Sequence, residues 1–205
     1  MNKNLNSLVK SYKNNELSTP NLQIIDEVFS DELLYLSDSD KKINLPDGRF
    51  LEGNLSKGNF HQSLLLNRSL FQKSHFNKIT FYNVNFDQSF FKDCIFEDCL
   101  VLKVSLKEIK LVRCTFKNCK FTDIKLFDSD ILETTFDRCS FADFSFDGSS
   151  FESCHFIEPV FDDLTFGYAS LQNSKFSNSS QLIEFEEKVL FHQIFDEINK
   201  FYIKE

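Results

Sequence analysis

The chain has 205 residues and a formal net charge of −8, room for one domain with a helical attachment. That charge argues against a nucleic-acid coat or an anionic membrane surface as partner and favours solubility or a basic partner. No apolar run approaches the roughly 18 residues of a membrane span, and the polar start Met1-Asn2-Lys3-Asn4 lacks a signal peptide's apolar stretch, so the cytoplasm is the expected compartment. Apolar content is an ordinary 41%, yet the chain holds 26 Phe with no Trp and one Met. An excess confined to one residue type points to one kind of site, repeated many times.

Residues 1–42 read as an N-terminal helical cap and linker. A short helix is expected around Leu5 to Tyr12. Thr19-Pro20 then has the form of an N-cap and first helical position. Leu22, Ile25, Phe29, Leu33 and Leu36 follow at helical spacing and predict a helix over 20–36. Residues 37–42, Ser-Asp-Ser-Asp-Lys-Lys, read as the linker.

Over 43–180 the period changes to five. Leu45, Phe50, Leu55, Phe60 and Leu65 set a first phase, and from Leu66 to Phe176 every fifth residue is large and apolar. Chance produces the second run with odds on the order of one in ten million or worse. Five matches neither a helix nor a flat strand. Two residues before most centres stands a second inward series, mostly small, such as Ser69, Ser74, Cys94, Cys114, Ser129 and Ser149. A chain turning a corner every five residues needs this pattern: two residues in, three out. The step from Leu65 to Leu66 is one residue too many and predicts a local irregularity.

This pattern resembles the pentapeptide repeat family, which repeats a small residue, a polar one, a Leu or Phe, and two variable positions. The resemblance implies a right-handed quadrilateral β-helix, an all-β solenoid with four repeats per square coil of 20 residues. Helical caps are expected at both ends, since a stacked solenoid must cover them. Phe76, Phe96, Phe116, Phe136, Phe156 and Phe176 should then form one internal column, and Phe81, Val101, Phe121, Phe141 and Phe161 another.

The six cysteines, Cys94, Cys99, Cys114, Cys119, Cys139 and Cys154, all occupy the inward small position. A zinc site needs four converging ligands, so the expectation is packing, with no metal and no cofactor. Free thiols fit a reducing compartment. His61, His75, His155 and His192 are expected on the solvated surface, His75 and His155 on one side, four coils apart. Phosphate loops and nucleophile elbows are absent. No catalytic residue is expected and the chain reads as a non-enzyme.

Charge is uneven along the coils. Lys103, Lys107, Lys110, Arg113, Lys117, Lys120 and Lys125 make a basic band, while beyond Leu126 acids dominate. The acidic candidates for partner binding are Asp123, Asp128, Asp130, Asp137, Asp143, Asp147, Asp162 and Asp163, with Asp123, Asp143 and Asp163 laddered at one corner. A second candidate surface is apolar: Tyr82, Leu100 and Leu102 on one side, Val112 and Leu132 on another. Phe90, Ile95 and Phe127 are further outward exceptions.

Residues 181–205 are predicted as a capping or dimerisation helix, with Leu182, Phe185, Val189, Leu190, Ile194, Ile198 and Phe201 at helical spacing. In dimerising family members a C-terminal helix pairs with its twin, so the resemblance makes Phe191, Phe195 and Tyr202 homodimer candidates. Gyrase-protecting members are proposed to imitate duplex DNA. The expected function is therefore a non-enzymatic protein-binding scaffold, an acidic DNA-mimicking rod acting on a type II topoisomerase such as DNA gyrase. The alternatives are an immunity protein that neutralises a cognate toxin, and a secreted effector or accessory interaction module. Direct nucleic-acid and membrane binding are not expected.

Overall fold

The computed structural model describes residues 23–25, 28–29, 43–44, 49–51 and 54–60 as strands, and the chain continuously over 64–202. It is a right-handed quadrilateral β-helix closed at its C-terminal end by one helix. Each centre is buried, and residues 20 apart stand in parallel register, as Phe96 does between Phe76 and Phe116. Main-chain groups are satisfied between coils: Leu66 donates its N–H to Asn85 in the next coil, and Phe90 donates to Ser69 in the previous one.

Corners are made by backbone conformation rather than by glycine. Nearly every residue two after a centre is left-handed, from Arg68 (φ 56°) to Asn173 (φ 48°). L-residues visit that region at a cost of about 1–2 kcal/mol, least for Asp and Asn, and stacking holds them there. Gly148 and Gly167 are required for another reason. A Cβ on Gly148 would lie 2.3 Å from Asp128 Oδ1, and one on Gly167 would overlap the Asp147 carboxylate.

The four faces are named by their centres. The first carries Phe71, Phe91, Leu111, Ile131, Phe151 and Leu171. The second is the predicted all-Phe column, whose rings stack at 4.5–5.1 Å between centroids. The third runs through Phe81, Val101, Phe121, Phe141 and Phe161, and the fourth from Leu66 through Phe86 to Phe166. Stacking each ring on its counterpart buries apolar surface worth about 25 cal/mol per Å².

The early coil is offset as the extra residue requires. Arg49 pairs with Leu70 and Asn54 with His75, 21 residues apart, whereas Leu70 pairs with Phe90, 20 apart. The pairing of Asn44 with Leu65 sets Leu65 beside the column rather than in it. Leu66 is the buried centre, so the insertion lies between Phe60 and Leu66.

Both predicted ends need correction. The expected helix over Leu5 to Tyr12 lies outside the described residues. Within the helix expected over 20–36, Gln23–Ile25 and Val28–Phe29 are strands, paired in parallel with Arg49–Leu51 and Asn54–Phe60. An open coil edge presents unpaired N–H and C=O groups, and extended chain satisfies them where a helix cannot. Ile24 and Phe29, five apart, align with Phe50 and Leu55, so the period reaches further toward the N-terminus than predicted.

At the other end the helix is only Phe191–Tyr202. Leu182–Phe185 and Val189–Leu190, predicted helical, are antiparallel strands on Ser174–Ser177 and Ser170–Gln172. They close the last coil's second and first faces. Phe191, Ile194 and Ile198 are buried along the helix's inner stripe.

Candidate functional site

The inward small position is a hydrogen-bonding device. Ser89 Oγ donates to the Leu66 carbonyl at 2.8 Å and Ser149 Oγ to the Leu126 carbonyl at 2.9 Å. Every cysteine repeats this contact more weakly: Cys94 Sγ reaches the Phe71 carbonyl at 3.4 Å and Cys154 Sγ the Ile131 carbonyl at 3.4 Å. The six thiols are free and buried. No group of three His, Cys, Asp or Glu side chains among the described residues is placed to hold a metal.

Burial pushes the Cys154 thiol up from its ordinary 9.0 to about 12, and Cys99 is raised by its contact with Cys119 together with burial. An unfolded thiol ionises near pH 9, so above that pH the unfolded chain binds fewer protons than the folded one. The stability contributed by neutral Cys154 is therefore complete below about pH 9 and falls as pH rises toward 12. A thiol reagent should leave the folded chain unlabelled at neutral pH while the denatured chain reacts at all six cysteines. Fast labelling of even one in the folded state would contradict this packing.

The histidines are less solvated than expected. His155 is half-buried, with Nε2 at 2.8 Å from Ser177 Oγ, and burial lowers its pKa. His75 is half-buried on the same face, 3.3 Å from Glu97. His192 is exposed and His61 lies outside the described residues. Inside the shaft, a void of about 50 Å³ opens where Val101, Leu106 and Leu111 replace rings; its lining is wholly apolar and offers a water no polar partner.

The basic band is spread around the rod and partly neutralised from the coil beneath. Arg113 holds Asp93 at 2.7 Å and Lys117 holds Glu97 at 3.2 Å, each across 20 residues. The Arg113 guanidinium keeps the Asp93 carboxyl below its usual range.

The acidic candidates do not share one face. Asp130 is on the first face, where Ser150 Oγ donates to it at 3.0 Å. Asp137, on the second, is held at 3.0 Å by Arg138. Asp128 folds over Gly148, and Asp147 accepts the Tyr168 N–H at 3.2 Å. Only Asp123, Asp143, Asp162 and Asp163 come together, at the outer corner of the third face. Parallel pairing stacks Phe141 over Phe121 and Phe161 over Phe141, which sets Asp123, Asp143 and Asp163 one coil apart, about 4.8 Å per step. All three are left-handed corner residues, with φ of 55°, 49° and 49°. Asp143, Asp162 and Asp163 are exposed and Asp123 half-buried. Beside the ladder runs a groove of about 240 Å³ lined also by Lys125, Phe127 and Thr165. In the coil below, Lys103 takes the same corner, so the ladder begins at Asp123.

Tyr82 and Leu102 are register partners on the third face, with Leu100 in the same strand. Val112 and Leu132 pair on the first face. All five are half-buried. The outward apolar residues most open to solvent are Tyr168 (81% exposed) and Val160 (62%), followed by Leu182 and Ile95. Of these only Ile95 was singled out from the sequence. Val160 carried a legible signal, an apolar residue just before a centre.

The homodimer candidates are committed to the cap. Phe191 is fully buried and stacks on Phe166 at 4.7 Å. Phe195 packs on Phe166 at 4.5 Å, and the Tyr202 hydroxyl donates to the Ser177 carbonyl at 3.3 Å. The open shaft end needs this apolar stripe. His192, Gln193, Asp196, Glu197 and Lys200 remain on the helix's exposed side.

Such a rod is a protein-interaction scaffold, holding rows of outward side chains at fixed spacing. A family model described as a pentapeptide repeat region matches residues 69–146. No curated protein matches the chain. Among solved structures, it is similar to HetL, a pentapeptide repeat protein involved in heterocyst differentiation regulation from the cyanobacterium Nostoc sp. Strain PCC 7120, at 10% identity and a TM-score of 0.43. That match covers 85% of this chain and 96% of HetL. Two trypsin-treated forms of QnrB1, a plasmid-mediated fluoroquinolone resistance protein, match at 8% and 14% identity with TM-scores of 0.36 and 0.38. They cover 75% and 76% of this chain and 92% and 82% of theirs. Likeness at this level assigns no partner.

Proposed function

This chain belongs to the pentapeptide repeat family, and we propose that it is a non-enzymatic cytoplasmic scaffold whose acidic corner docks into the basic groove of a protein partner. The specific partner proposed is a type II topoisomerase such as DNA gyrase, whose DNA-binding surface is basic. The observation that carries the reading is the ladder Asp123, Asp143 and Asp163 with Asp162 beside it, on a scaffold too rigid for the carboxylates to spread. Fixed like charges at regular spacing raise the association rate with an oppositely charged groove and make binding salt-dependent.

Adding the purified protein to a gyrase supercoiling assay should inhibit the reaction or protect it from a quinolone at micromolar concentration. Combined Asp123→Asn, Asp143→Asn, Asp162→Asn and Asp163→Asn substitutions should weaken the effect and flatten its salt dependence. If the unsubstituted protein does nothing to gyrase, the topoisomerase reading fails. Rescue of cells from a toxin encoded beside it would then favour the immunity reading. Unchanged binding by the substituted protein would move the site to Tyr82, Leu100 and Leu102.

A further inference from the structure

The coil column of the third face ends on Val160–Thr165, the terminal strand of its sheet, with no strand beyond it among the described residues. The first and second faces are closed by antiparallel strands, as described above. Val160–Thr165 pairs on its inner side at five positions with Ser140–Ser145, which pairs in the same way with Lys120–Lys125. Its outer side offers that register again. In the coils below, Asn83 and Lys103 donate their N–H upward at 2.9 and 3.1 Å, and Cys99, Cys119 and Cys139 accept from above at 2.9–3.0 Å. Asp163 N–H and Pro159 C=O hold the corresponding positions at the open edge, with no main-chain partner among the described residues.

The side chains report the same missing layer. Phe141 and Phe144 are 1% and 4% exposed, whereas Phe161 and Leu164 directly above them are only half-buried and Val160 is 62% exposed. Phe195 touches Phe161 from one side, at 6.1 Å between centroids.

We propose that Val160–Thr165 is a strand-docking edge that takes an extended, lysine- or arginine-bearing segment of a partner protein as the next strand of the third face. Main-chain bonds would supply affinity, and Phe161 and Leu164 the apolar contacts. The charge of the occupant follows from Asp162 and Asp163, which flank the edge with Asp143 one coil beneath. Two copies of this strand paired antiparallel would set Asp162 against Asp163 twice, and like charges directly opposite are destabilising. The same pair of carboxylates favours a basic strand. This inference does not rest on the topoisomerase reading.

The test uses the full chain, labelled for amide NMR, and an acetylated peptide of alternating lysine and valine. Saturable binding is expected, with slowed exchange of the Asp163 amide. Asp162→Lys with Asp163→Lys should weaken binding by about tenfold, while Asp123→Asn with Asp143→Asn should cost clearly less. N-methylating one alternating set of peptide amides should abolish binding and methylating the other should not, because only one set faces the edge. The proposal is overturned if no saturable binding occurs, or if both methylated peptides bind alike, the mark of charge attraction alone. It is equally overturned if the Asp163 amide is already protected in the free chain, whether monomeric, so that its own residues fill the edge, or dimeric, so that a second copy does.

Discussion

Phe156→Ala is expected to destabilise the protein by about 3–5 kcal/mol, the range for deleting a buried ring whose surroundings cannot collapse. Phe156 is fully buried, stacked at 5.0 Å on Phe136 and 4.7 Å on Phe176, with Phe151 and Phe161 against its edges at 5.8 and 6.3 Å. Ladder bonds above and below fix the coil spacing, so the neighbours cannot move in to fill the gap. Phe161→Ala should cost clearly less, because Phe161 is half-buried at the end of its column. Urea unfolding of both variants measures the difference. Equal losses would mean that stacking within the columns is not what holds the coils together.

Ser149→Ala should cost about 2–4 kcal/mol although it removes a single oxygen, because it leaves two buried backbone groups without a partner at about 1–3 kcal/mol each. Ser149 Oγ donates to the Leu126 carbonyl at 2.9 Å and accepts the Ser129 N–H at 3.2 Å, at 1% exposure. Ser149→Cys should lose less, since a thiol makes the same donation at Cys154. Denaturation midpoints ordered serine, cysteine, alanine are the expected result. An alanine variant as stable as the cysteine one would show that the inward position selects for size alone.

These two variants separate what a column needs from what a corner needs, and the sequence carried both signals unevenly. The centres were legible because one constraint is imposed again at every fifth residue, so Phe76 through Phe176 could be placed in a column before any geometry was known. The cysteines were legible for the same reason, as occupants of the inward position. Their bond to a carbonyl 23 residues earlier was not, because it depends on how far one coil is rotated over the next. The acids were read along the chain as one face, yet Asp130, Asp137 and Asp147 are turned away from Asp143 by successive corners.

The amino-acid sequence by itself determined the square coil, its shaft of stacked Phe and the extra residue before Leu66, since each follows from local residue type repeated at a fixed period. Tertiary structure decided the ends. Whether Gln23–Ile25 and Leu182–Phe185 become helix or strand depends on the unpaired edges they meet, and no periodicity records that demand. Pro159 marks the boundary between the two. It stands at an inward position whose N–H elsewhere bonds to the coil above, as Cys154 N–H does to Ser174 Oγ at 3.1 Å. Above Pro159 there is no coil, and proline has no donor to leave unsatisfied.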